Sequence, residues 1–126
     1  MRQTTPGEIL NLVDAERAKA GCAALQVNPL LQQIAQAHAD DEERNNFDSH
    51  TGSDGSTVPM RMASVGYNHR AWGENISGPG HGSAAAHVQG WLNSAPHKAD
   101  MLRCSYTDTG VGVAGDRVVQ VFGTPG

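Results

Sequence analysis

At 126 residues and 13.3 kDa, with 38% hydrophobic and 17% charged residues, the chain (1–126) has the size and composition of a single globular domain. Its net charge of −4 and pI near 5.8, with no run of Lys or Arg, argue against nucleic acid or an anionic membrane surface as a partner. No apolar run approaches the ~20 residues that a membrane span needs.

In chain order, Thr5-Pro6-Gly7-Glu8 reads as a helix start, with threonine as N-cap, proline at the first helical position and glutamate three residues after the cap. Ile9, Leu12 and Val13 follow at helical spacing, and Gly21 ends the run. Asn28-Pro29 opens a second helix, expected to end near Arg44. Its apolar stripe is Leu30, Leu31, Ile34, Ala35 and His38, and its outer face is Gln32, Gln33, Gln36 and Asp40. His38 continues the stripe and is expected as a core or rim histidine. Asp40-Asp41-Glu42-Glu43 reads as a solvated helix end rather than a cation site.

Residues 45–57 form a polar loop carrying His50, anchored inward by Phe47. A short helix over 58–65 stops at Gly66, and a brief strand follows around 71–76. Ser77, Gly78, Pro79, Gly80, His81, Gly82 and Ser83 make a Gly/Pro-rich loop expected to be mobile, with Ser83 capping the next helix. Ala84, Val88, Trp91 and Leu92 form that helix's buried face. Pro96 is expected to break it, leaving a helical turn over 98–102. The chain closes as a hairpin of 109–114 and 118–122 around Gly115-Asp116, and the continuous valines of its second strand predict a central strand covered on both faces. The elements together predict an α+β fold, a three-layer arrangement of helices around a small antiparallel sheet.

Chemistry concentrates between Trp72 and Leu102, with His50 upstream. His50, Glu74 and His97 each sit in a loop or at an element end, and none continues an apolar stripe. Two imidazoles and a carboxylate can hold a divalent cation such as zinc with water in the open position. Equally, the carboxylate can orient a histidine as a general base. His69, His81 and His87 lack such a context, and His81 looks solvated. No G-x-S-x-G elbow surrounds a serine, and Asn75-Ile76-Ser77 matches a glycosylation sequon. Cys22 and Cys104 lie in no metal-binding spacing. They are either a disulfide worth roughly 2–4 kcal/mol or two buried thiols. No signal peptide is visible, which does not place the chain in the cytoplasm, because a cleaved one would be missing from a mature protein.

HTGSDGS at 50–56, GENISG at 73–78, GWLNSAPHKADML at 90–102, GVGVA at 110–114 and QVFG at 120–123 resemble the CAP superfamily of cysteine-rich secretory proteins, antigen 5 and plant pathogenesis-related proteins, and most nearly its bacterial SCP-domain members. The helical stretch 12–42 is similar to their amino-terminal half, so the likeness covers nearly the whole chain. The resemblance implies an α-β-α sandwich, a secreted protein, and a Cys22–Cys104 disulfide. It also implies a cleft of two histidines and two acidic residues able to hold a divalent cation, with His50, Glu74 and His97 in three of the four places. One departure concerns the fourth: where eukaryotic relatives often carry a glutamate three residues after the helix tryptophan, Ser94 follows Trp91, so water must replace an anionic ligand. In the plain structural reading of such a cleft, His97 and Glu74 pair with one another.

Three functions follow from the resemblance. The first is a secreted binding protein for a lipid or cell-envelope ligand, with the loop 77–83 as the place of entry and no cofactor required. The second is a metal-assisted hydrolase or protease using His50, Glu74 and His97. The third is a non-catalytic cell-surface interaction module. Oligomeric state is not legible.

Overall fold

The first ordered turn is set by chemistry read above: Thr5 caps helix α1 (Pro6–Lys19), its hydroxyl accepting from the Glu8 amide while the Glu8 carboxylate accepts from the Thr5 amide. The computed structural model describes residues 4–126. After α1 come β1 (Gln26–Val27), α2 (Pro29–Asn45), α3 (Val58–Ser64), β2 (His69–Ser77), α4 (Ala84–Leu92), α5 (Ala95–Met101), β3 (Asp108–Ala114) and β4 (Arg117–Pro125). Asn28, Thr57 and Ser83 cap α2, α3 and α4 through their side chains. Pro96 does not break a helix. It occupies the first turn of α5, where its missing amide costs nothing, so α5 starts at Ala95 and contains His97.

The four strands run in the order β1-β3-β4-β2. The sheet is mixed: β3, β4 and β2 are antiparallel as expected, and the two-residue β1 adds a parallel pairing at Asp108 and Thr109. The valine-rich β4 is flanked on both sides, and its residues alternate between two cores. Val118 and Phe122 face Ile9, Val13, Val88, Trp91 and Met101 of α1, α4 and α5. Val119 and Val121 face Leu31, Ile34, Ala35 and Met62 of α2 and α3. The result is the three-layer α-β-α sandwich.

Helix α2 lies directly on the sheet because β3 carries glycines there. A β-carbon at Gly110 or Gly112 would collide with the α2 backbone at Leu31–Gln32 or Ala35. The closeness also corrects the expected outer face of α2. Gln32 and Gln36 instead bond to the β3 backbone, each exchanging two hydrogen bonds, Gln32 with Val111 and Gln36 with Val113. Their amides occupy the strand edge that β1 is too short to cover.

Cys22 and Cys104 form the disulfide. Beside it, the buried Arg17 guanidinium donates to the carbonyls of Ala23, Met101, Arg103 and Tyr106 at 3.0–3.1 Å. Together they fasten the end of α1 to the segment joining α5 and β3. No helix among the described residues is long and apolar enough to cross a membrane.

Candidate functional site

Strand β2 is the sheet's edge, and successive side chains along a strand point to opposite faces. Glu74 therefore faces the α2/α3 layer and Asn75 the α4/α5 layer, and each grips one histidine. Glu74, whose side chain is fully buried, accepts a hydrogen bond from His50 Nδ1 at 2.7 Å through Oε1. Its Oε2 accepts from Arg61 at 3.3 Å. Arg61 in turn donates to the carbonyls of His50 and Ser56, fixing the loop that carries His50. On the other face, Asn75 donates to the His97 carbonyl and accepts from His97 Nδ1, both at 2.9 Å. Because that amide nitrogen is committed to the carbonyl, its oxygen faces the ring and the hydrogen sits on Nδ1.

The two imidazoles thus share one arrangement, with Nδ1–H held by a β2 side chain and Nε2 left as the free position. Their ionisation differs. The hydrogen bond to Glu74 raises the His50 pKa above its ordinary value, whereas burial lowers that of His97. The expected pairing of His97 with Glu74 does not occur, since Glu74 belongs to His50 and Asn75 to His97. The sequon reading of Asn75 fails as well: the residue is fully buried and its amide is used.

A second carboxylate does reach the cleft, from Asp100 rather than from the position of Ser94. Asp100 lines a cavity of about 300 Å³ with His50, Trp72, Gly73 and Glu74. Burial raises its pKa, and both His50 and His97 act on it electrostatically. In sequence Asp100 looked like one more polar residue in a helical turn. Its one signal was its place three residues after His97, which puts the two on one helix face. Both Glu74 oxygens already accept a hydrogen bond, and among the described residues no three His, Cys, Asp or Glu side chains stand where they could together hold an ion.

The cleft continues past His50 and Trp72 into a second cavity of about 310 Å³, lined also by Thr51, Thr57, Val58 and Pro59. Trp72 is 40% exposed, and its carbonyl accepts a hydrogen bond from Tyr106 Oη at 2.7 Å. Gly73 lets that hydroxyl and Asp100 come close to the strand, since a β-carbon there would press on both. The groove therefore has a polar end at Glu74 and Asp100 and an apolar end at Val58 and Pro59.

The loop 77–83 lines neither cavity. Gly80, His81 and Gly82 donate three successive backbone N–H bonds to the Asp116 carboxylate in the β3–β4 turn. The loop expected to be mobile is thus bonded to the β3–β4 turn. His81 is exposed, as expected, and its ring lies 4.5 Å from that of His87. His87 is the surprise. It is fully buried, with Nδ1 2.6 Å from Ser77 Oγ and Nε2 2.8 Å from Asp116 Oδ1. A hydroxyl, an imidazole and a carboxylate in line suggest a nucleophile, but Ser77 is buried too, so the set works as a latch on the loop.

Behind His50, α2 supplies a further pair. His38 Nε2–H donates to the Ser49 carbonyl at 2.6 Å, and the Ser49 amide donates to Glu42 at 3.2 Å. His38 is the core histidine expected. Glu42 is not solvated at all: it is fully buried, and that burial pushes its pKa up to about 7. Asp40 and Glu43 do remain exposed.

Comparison with known proteins agrees with this architecture. The family model described as CAP, the cysteine-rich secretory protein family, matches residues 10–122. The uncharacterized membrane protein YlbC of Bacillus subtilis (strain 168) is 32% identical over 113 residues, covering 90% of this chain and 32% of its own length. The uncharacterized protein YkwD of the same organism is 34% identical over 106 residues, covering 83% of this chain and 40% of its own. The chain thus spans about a third to two-fifths of the curated relatives it matches. Among solved structures, an extracellular SCP-domain protein of Bacillus anthracis superposes with a TM-score of 0.88 at 29% identity, covering 94% of this chain and 39% of that one. An outer surface protein of Borrelia burgdorferi superposes with a TM-score of 0.85 at 19% identity over 99% and 98% of the two chains, a likeness of fold. The chain belongs to the CAP family of cysteine-rich secretory proteins.

Proposed function

We propose that the protein acts outside the cell as a binding module, taking an amphipathic lipid or cell-envelope ligand in the groove between Asp100 and Pro59. The observation that carries this reading is the groove's continuity: a polar cavity and an apolar one share His50 and Trp72. A ligand with a polar head and an apolar body matches both ends at once. The disulfide supports an oxidising compartment, as do relatives described as extracellular or outer-surface proteins. The latch on loop 77–83 favours entry at Trp72 over entry at that loop. Trp72 fluorescence during titration with octyl glucoside, below its micelle concentration, tests the reading. Binding should be saturable and weaken at least tenfold in Trp72→Ala, and a flat titration of the wild type would sink it.

One observation favours a second reading, a hydrolase in which His50 is the general base. A buried carboxylate 2.7 Å from an exposed imidazole is how such a base is oriented. It would activate water directly, and it requires His50→Ala and Glu74→Gln to abolish turnover of a peptide or ester without unfolding the domain. A module that docks proteins through this face without a small ligand would show neither activity nor amphiphile binding.

A further inference from the structure

We infer that the polar end of the groove recognises a primary ammonium group, held between the Asp100 carboxylate and the face of Trp72. The inference rests on the amphipathic-groove reading and specifies the head group. The two carboxylates in the cavity are not equivalent. Glu74 is already matched by Arg61 and His50, through one hydrogen bond to each of its oxygens. Asp100 has no such match: among the described residues no N–H or O–H donates to its carboxylate. His97, His50 and Arg103 act on it only from a distance. Each imidazole holds a β2 side chain through Nδ1, and the Arg103 guanidinium lies over the Tyr106 ring, 5.1 Å from its centre, with its Nε donating to Ser105. A half-buried carboxylate without a donor is a group that a ligand can satisfy, and a charged donor does so most strongly.

Trp72 makes the second contact. It is 40% exposed and lines the same cavity as Asp100, on a backbone held by Tyr106 Oη. Tryptophan offers the strongest aromatic face for a cation, and the attraction grows where water is partly excluded. Gly73, next in the chain, lets Asp100 and the Tyr106 hydroxyl pack close against β2, where a β-carbon would press on both. An anionic head would face Asp100 and Glu74 in a protein that already carries a net charge of −4. From His50 and Trp72 the apolar cavity at Val58 and Pro59 then receives the body of the ligand.

Octylammonium, octyl glucoside and octanoate, each titrated below its micelle concentration at pH 8, separate the possibilities. The readout is the Trp72 indole N–H resonance. Trp91 serves as an internal reference, because its indole N–H is bound to the Ile76 carbonyl inside the core. The expected result is that octylammonium binds at least fivefold more tightly than the other two, and that Asp100→Asn removes this preference while octyl glucoside still binds. Equal affinities in the wild type overturn the ammonium assignment and leave the groove standing. A preference that survives Asp100→Asn also overturns it. Failure of all three probes to bind removes the groove reading and the assignment with it. The wild-type series stands by itself if Asp100→Asn does not fold.

Discussion

His50 and His97 come from opposite layers, yet each is fixed through Nδ1 by one of two adjacent β2 residues. This pairing accounts for how two imidazoles whose pKa values shift in opposite directions sit in one cleft. The raised His50 pKa comes first from the hydrogen bond to Glu74. Folding therefore favours protonated His50: its contribution to stability is fully present below the unfolded value and is lost as pH rises through the folded one. In Glu74→Gln the imidazole keeps an acceptor and loses the charge, so its pKa should fall back toward the ordinary value. Titration of the His50 ring protons by NMR checks this, and an unchanged pKa would mean that Glu74 does not set it. At this scale the sequence showed the three residues that sit beside turns. It hid Asn75, Arg61 and Asp100, whose chemistry exists only through partners 13 and 22 residues away or through the cavity they line.

Elements act here by gripping loops, and side chains expected to be solvated do most of the gripping. Helix α2 covers the β3 edge with Gln32 and Gln36 and holds the His50 loop with His38 and Glu42. Periodicity located the buried stripe of α2, but the helix lies so close on Gly110 and Gly112 that its flanks are in contact too. Glu42 is buried on such a flank, although an acidic run at a helix end ordinarily faces water. Its pKa, raised from 4.5 to about 7 by burial, means that the folded state holds a proton the unfolded chain releases. Stability from this group is greatest below pH 4.5 and falls as pH rises to about 7. Glu42→Gln keeps an acceptor for the Ser49 amide and cannot ionise. Urea midpoints at pH 5 and 7.5 should show the wild type losing stability relative to the variant across that interval. A constant difference would place the Glu42 pKa in the ordinary carboxylate range. The β3–β4 turn works the opposite way: Asp116, held at about 2 by His87 and three backbone amides against the cost of burial, keeps its grip on loop 77–83 down to acid pH. The turn itself was legible from Gly115-Asp116, but the use of the aspartate was not.

The whole molecule is a sheet with a core on each face, and one end is fastened covalently. The order of elements, the hairpin and the buried β4 were all legible, because valine runs, caps and glycine stops are local signals. The short parallel β1 was not, for two residues carry no period. Cys22–Cys104 closes a span of 82 residues and lies beside the four carbonyl bonds of Arg17. Removing it should lower the unfolding free energy by roughly 2–4 kcal/mol, mainly through the unfolded chain's regained freedom. Chemical denaturation of Cys22→Ala/Cys104→Ala against the wild type measures this, and a loss well under 1 kcal/mol would show that Arg17 alone fastens this end. Neither cysteine lines the two cavities, so the double variant, where it folds, should bind octyl glucoside as the wild type does.

A ligand that enters along His50 and Trp72 must perturb the backbone there, which a backbone-amide NMR titration with octyl glucoside reads. Saturable shifts are expected at His50, Thr51, Thr57, Val58, Trp72 and Gly73, with Gly80, His81 and Gly82 unmoved. Shifts centred on residues 80–82, or none anywhere, would contradict it.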